Sequence, residues 1–205
     1  MNLVKLHAFG GSISEYRDIE CYSGSMIANN NYRLFTDSGL DGNEAVARGN
    51  RVHDYLAKSL LDKELPQIPL EEAETASNML AMVSDIVEVG RGGSVFWVEK
   101  PFIADITVGK YDYRYKFMPD LVMKSSEDTL LVLDWKTGKQ PKKIAKASHV
   151  RQASIYGIPF YLNYKNIYAI EYVIVYEGIV FRDFVNVDYI QYFIGEYFEK
   201  SRYLA

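Results

Sequence analysis

Two apolar runs, Leu121-Val122-Met123 and Leu130-Leu131-Val132-Leu133, flank the polar stretch Ser125-Ser126-Glu127-Asp128. That pattern predicts a β-hairpin with a polar turn. Each run carries acidic chemistry at its outer end: Pro119-Asp120 before the first, and Asp134-Trp135-Lys136 after the second. Alternation along a strand puts residues 132, 134 and 136 on one face, so Asp134 and Lys136 point the same way. A loop of residues 125–128 would pair Asp120 with Leu133 and send the two acids to opposite faces. A loop of residues 125–129, or one bulge, sets Asp120 directly across from Asp134. The second register is expected, because two carboxylates on one face make a cation site.

Around this hairpin the pattern predicts an α/β chain. Helical spacing runs from about Glu44 to Asp62, with Ala45, Val52, Leu56, Leu60 and Leu61 as its apolar stripe and Asp41 or Asn43 as N-cap. A second helix is expected from Glu71 to about Val89, opened by acids and stopped by Gly90, Gly92 and Gly93. Strands follow at Val95–Ile103, interrupted by Pro101, at Lys110–Lys124 and at Thr129–Lys136. A helix over Lys142–Asn163 should kink or stop near Ile158, because Pro159 lies inside it. Ile167–Tyr176 and Ile179–Val187 read as a hairpin around Glu177-Gly178, and Asp188 as the cap of a last helix to about Ser201. Residues 1–42 are broken by Gly10-Gly11, the Asn29-Asn30-Asn31 run and Asp37-Ser38-Gly39, and support only short helices.

At 205 residues and 48% hydrophobic content the chain suits one compact domain. Within it, residues 1–90 form an N-terminal helical region and residues 91–205 the core. A single cysteine, Cys21, excludes an internal disulfide and a cysteine-ligated zinc or iron–sulfur site. The net charge of −4 gives no global attraction to nucleic acid, so such binding must come from a local patch. Residues 136–151 offer one: Lys136, Lys139, Lys142, Lys143, Lys146, His149 and Arg151 without an intervening acid. The bland reading of this run is a solvated helix face; beside a metal site it suits phosphates. No signal-peptide core or membrane-spanning apolar run is present, which predicts a cytoplasmic protein with no membrane partner.

Three further features accompany the hairpin. Gly49 lies one helical turn before His53, so a missing side chain lets another group approach the imidazole. Glu99 ends a strand before Lys100-Pro101. Gln152 and Tyr156 share a face of the helix after the hairpin. In this order, Gly49-x-x-x-His53, Pro119-Asp120, Asp134-x-Lys136 and Gln152-x-x-x-Tyr156 resemble the PD-(D/E)xK nuclease superfamily. The resemblance is to its RecB-like branch, with the Cas4-type and mitochondrial genome maintenance exonucleases, and spans about residues 45–176.

The resemblance implies a restriction-endonuclease-like fold, a mixed central sheet flanked by helices with an N-terminal helical cap. It implies Mg²⁺- or Mn²⁺-dependent hydrolysis of DNA at single strands or duplex ends, in phage or mobile-element DNA processing in a bacterial or phage-infected cell. Asp120, Asp134 and Lys136 become catalytic; His53, Asp120, Asp134 and the Trp135 carbonyl become metal ligands. Glu99 is open between a second-metal ligand and a solvated strand terminus. Lys136 is open between general base and electrostatic stabiliser. Gln152 and Tyr156 either touch the DNA backbone or brace the site, and Tyr156 is equally a core residue. The chain departs from Cas4-type enzymes in lacking their cluster cysteines, and from RecB in lacking a G-x-x-x-x-G-K-[ST] loop. Alternatives are an enzyme that works only with a protein partner in a recombination or replication complex, and a module that grips DNA ends without cutting.

Overall fold

The computed structural model describes residues 3–19, 21–24, 40–61, 63–90, 96–108, 111–124, 128–137, 147–164 and 167–185. In chain order these form β1 (Leu3–Ala8), α1 (Ile13–Asp18), β2 (Tyr22–Ser23), α2 (Leu40–Leu60), α3 (Leu70–Gly90) and β3 (Phe96–Val98). There follow β4 (Phe102–Val108), β5 (Tyr111–Phe117), β6 (Leu121–Lys124), β7 (Thr129–Lys136), α4 (Ala147–Asn163), β8 (Ala169–Tyr176) and β9 (Ile179–Val185).

The fold is mixed α/β, but the single sheet expected from sequence is two: β1-β4-β5-β2 and β3-β6-β7-β8-β9. Prolines mark where the chain changes sheet. The interruption expected at Pro101 within Val95–Ile103 is a change of sheet, with β3 in the five-stranded sheet and β4 in the other. Likewise Lys110–Lys124 is β5 and β6, divided at Pro119. A proline has no N–H to donate to a ladder, so a paired strand seldom continues through one. The N-terminal residues hold a short helix, α1, within the segment Ile13–Tyr22 where one is expected, and also contribute β1, which pairs along its length with β4. Residues 1–90 are therefore not purely helical.

α2 begins at Leu40, so Asp41 and Asn43 lie inside it and do not cap it. Its buried stripe is Val52, Leu56 and Leu60, while Ala45 and Leu61 are exposed. These residues join Met79, Val83 and Val87 of α3 over Leu131, Leu133 and Trp135 of β7. α2 is clasped to α3 by Arg51, whose Nε and Nη2 lie 2.7 and 2.6 Å from the two oxygens of the buried Glu72 carboxylate. This paired fork is the geometry that makes burying a carboxylate tolerable.

The other face of the five-stranded sheet packs on α4. That helix lies between the sheets: Ile155, Tyr156, Ile158 and Phe160 share a core with Phe102, Tyr115 and Phe117 on one side and Val122 and Val132 on the other. A helix apolar on most sides belongs in such a place. Gly157 allows the close approach, since a Cβ there would sit 2.8 Å from Ile170 Cγ2.

Pro159 does not stop α4, which continues to Asn163. Proline removes the N–H that would bond the carbonyl four residues back, here Ile155. That carbonyl accepts instead from the Tyr115 hydroxyl at 3.0 Å. The β8–β9 hairpin turns at Glu177-Gly178 as expected, with Gly178 at φ 78°. The expected helix from Asp188 lies outside the described residues. No described helix is long and apolar enough to cross a membrane.

Candidate metal centre

The β6–β7 register pairs Leu121 with Leu133 and Lys124 with Leu130. Extended by one residue, it sets Asp120 across from Asp134, the alignment expected for a 125–129 loop. The Asp120 carboxylate is fixed by a backbone donor: Trp135 N–H gives Oδ2 a hydrogen bond of 2.7 Å. Oδ1 then lies 3.3 Å from His53 Nδ1. Asp120 itself is only 7% exposed, so both oxygens depend on protein partners.

Glu99 completes the group. It stands where the chain leaves β3 for the other sheet, with φ 43°, a left-handed conformation uncommon for a residue with a side chain. Its N–H donates to the Asp120 carbonyl at 2.9 Å, and its Oε1 lies 3.7 Å from His53 Nδ1. One ligand atom from each of His53, Glu99 and Asp120 lies within 4.8 Å of the other two. Backbone strain held by a specific hydrogen bond at such a place is what functional sites tend to show.

The approach of α2 that delivers His53 depends on Gly49. A Cβ there would meet Thr137 Oγ1 at 3.1 Å, so the neighbour admitted by the missing side chain is the residue after Lys136. The imidazole also meets the buried Trp135 ring edge-on, with centroids 5.7 Å apart. The Trp135 indole N–H is buried with no hydrogen-bond partner among the described residues.

Asp134 is not part of this trio. Its buried carboxylate is held by the Lys136 ammonium, with Nζ 2.9 Å from Oδ1 and 2.7 Å from Oδ2, the first contact alone having hydrogen-bond alignment. The pair is not a surface salt bridge, because Asp134 is 1% exposed. Lys136 also donates to Gln152 Oε1 at 3.1 Å, and Gln152 Nε2 donates to Tyr156 Oη at 2.7 Å. Tyr156 is buried against Phe117, with its ring stacked at 5.6 Å. Of its alternatives, bracing and core packing match these surroundings; contact with DNA does not.

The site's charges shift one another's titration. Burial alone would lower the His53 pKa, but the carboxylates of Asp120 and Glu99 outweigh it and raise the value to about 10. Burial raises the pKa of Asp134, against the opposing pull of Lys136. For Lys136 burial acts downward, yet Asp134 and Asp120 prevail and raise its pKa. Both shifts follow from the nearby carboxylates, which favour the charged imidazolium and ammonium.

The donor set fits a divalent ion. Around a cation with ligands at about 2.1 Å, neighbouring donors stand roughly 3 Å apart and opposite ones roughly 4.2 Å. The spacings from His53 Nδ1, 3.3 and 3.7 Å, need little adjustment to reach that range. Two carboxylates and an imidazole so placed could hold a metal ion. The lone cysteine argues against an iron–sulfur cluster.

Of the residues proposed to hold DNA, Lys139, Lys142, Lys143 and Lys146 lie outside the described residues; Arg151 is a part-buried residue of α4. The sequence reading passed over a pair beside the site: His149 Nδ1 lies 2.5 Å from Tyr176 Oη. Its one sequence signal was the spacing of His149, three residues before Gln152.

No known family model matches the chain, and no curated protein does. Among solved structures, one described as "Crystal structure of SSO0001" is similar over 92% of this chain and 86% of that chain. The identity is 15% and the TM-score 0.38.

Proposed function

We propose that the protein is a divalent-metal-dependent deoxyribonuclease with a restriction-endonuclease-like core, acting on single strands or duplex ends in phage or mobile-element DNA processing. The observation that carries this reading is the hairpin register, which brings Asp120 to Asp134 and Lys136 while His53 and Glu99 arrive at Asp120 from other elements. A bound Mg²⁺ or Mn²⁺ supplies charge neutralisation and a more acidic water. His53, Glu99 and Asp120 hold it, with Asp134 and the Trp135 carbonyl as further ligands on the family resemblance.

Lys136 stands beside these acids with a raised pKa, so the role its surroundings favour is electrostatic: an ammonium facing negative charge that develops on phosphate. Asp134 and Gln152 hold that ammonium in place, and Tyr156 braces Gln152. The basic run of residues 136–151 is suited to the strand backbone, so binding should weaken with salt.

The test is cleavage of labelled single- and double-stranded DNA with Mg²⁺ or Mn²⁺, comparing the native chain with Lys136→Ala. Metal-dependent cutting that falls by about 10²-fold or more in the variant is expected, from the loss of one preorganised charge at the reacting phosphate. DNA held but cut by neither protein would replace this reading with the end-binding module.

A further inference from the structure

His149, Gln152 and Tyr156 lie at i, i+3 and i+7 on α4, one helical stripe. Gln152 reaches Lys136 on β7 and Tyr156 within the helix; His149 reaches Tyr176 on β8. Lys136 and Tyr176 are register partners in the parallel β7–β8 ladder, so the two contacts land on neighbouring positions of one sheet end. Tyr176 is fully buried, its ring edge-on to Phe181 at 5.8 Å, so its hydroxyl is a fixed anchor. The far half of α4 is seated by Gly157 against Ile170 and by Phe160 in the core. Nearer the start of the helix, the His149–Tyr176 bond ties it directly to the sheet.

We propose that His149 and Tyr176 form a latch that sets the first turn of α4 over β7 and β8, and thereby holds Gln152 at the distance from which it orients the Lys136 ammonium. His149 is a positioning residue, acting through Gln152. The catalytic meaning of the latch rests on the nuclease reading; the placement of Lys136 does not. Small displacements of a group that meets a reacting phosphate lower turnover while leaving ground-state binding nearly unchanged.

Two measurements on the full-length chain separate the claims. In metal-free protein with ¹⁵N-labelled lysine, the Lys136 side-chain Nζ resonance should show hindered proton exchange. His149→Ala and Tyr176→Phe should speed that exchange, and His149→Gln should largely restore it. With Mn²⁺ and DNA, His149→Ala should lower kcat by about tenfold with KM within about twofold, and His149→Ala/Gln152→Ala should be no slower than Gln152→Ala alone. Lysine exchange unchanged in His149→Ala overturns the latch, as does a double variant slowed by the full product of the single effects. Exchange that responds as stated in a chain that never cuts DNA upholds the latch and removes the nuclease reading instead. Matching far- and near-ultraviolet circular dichroism of the variants excludes simple misfolding, and Tyr176→Phe reports on the latch from its other end.

Discussion

The two oxygens of the Asp120 carboxylate have different partners: Oδ2 accepts from the Trp135 backbone and Oδ1 faces His53. Replacing it with Asn keeps the shape but removes the charge that the imidazole and a cation share. Titration calorimetry with Mn²⁺ is expected to show binding weakened at least tenfold in Asp120→Asn and in His53→Ala, given that losing even an outer-shell partner costs 10–100-fold in metal affinity. Since the His53 pKa is raised to about 10, a nitrogen that ligates must first lose its proton. Binding at pH 7.5 should therefore release close to one proton per ion, seen as a dependence of the measured heat on buffer ionisation enthalpy. His53→Gln should abolish that dependence; its persistence in the variant would assign the proton elsewhere.

The helices and strands are joined by contacts that only their pairing explains. Tyr115 of β5 donates to the Ile155 carbonyl that Pro159 leaves without its helical partner. Tyr115→Phe removes one hydroxyl and strands a buried acceptor, which should cost about 1–3 kcal/mol in urea unfolding. The same substitution combined with Pro159→Ala should cost less, because the helix regains its own donor for Ile155. At Gly157 the close seat of α4 on β8 leaves no room for a methyl group. Gly157→Ala should destabilise by about 1–3 kcal/mol, the usual range for overpacking, despite alanine's better helix propensity. Gly49→Ala is the milder case: its neighbour is a single hydroxyl, Thr137 Oγ1, so the effect should fall on cation affinity more than on folding.

Across the whole molecule, the layers run four-stranded sheet, α4, five-stranded sheet, then α2 with α3. The charged groups on these layers shape how stability responds to pH. His53 has a folded-state pKa raised to about 10, so the stability it contributes is complete below its ordinary value near 6.5 and is lost as pH rises through 10. Glu72 has the opposite sense. Arg51 holds its pKa below the ordinary value, so that contribution is present above about 4.5 and fades as the solution is made more acid. Urea midpoints should decline from pH 6.5 to 10 in the native chain and less steeply in His53→Gln. Equal slopes would mean that the imidazolium is not balancing Asp120 and Glu99. Glu72→Gln should flatten the acid side in the same assay.

Local pattern was enough to read the hairpin, because its two apolar runs and polar turn act over a few residues and a shift of one would turn every side chain over. The helical stripe of Val52, Leu56 and Leu60 and the Glu177-Gly178 turn were legible for the same reason. Candidate ligands could be named because four motifs in order resemble a known superfamily, which no one of them would have done alone. Which strands share a sheet could not, because β3 and β4, or β5 and β6, are contiguous in sequence and parted only by where their backbones find partners. The left-handed backbone of Glu99 and its hydrogen bond to the Asp120 carbonyl were not legible in the sequence. Asp134 presents the same acid chemistry as Asp120, yet faces Lys136 while Asp120 faces His53. Residue type and spacing thus set what the side chains can bind, while the long-range packing of α2 and α4 on one sheet decided which of them meet.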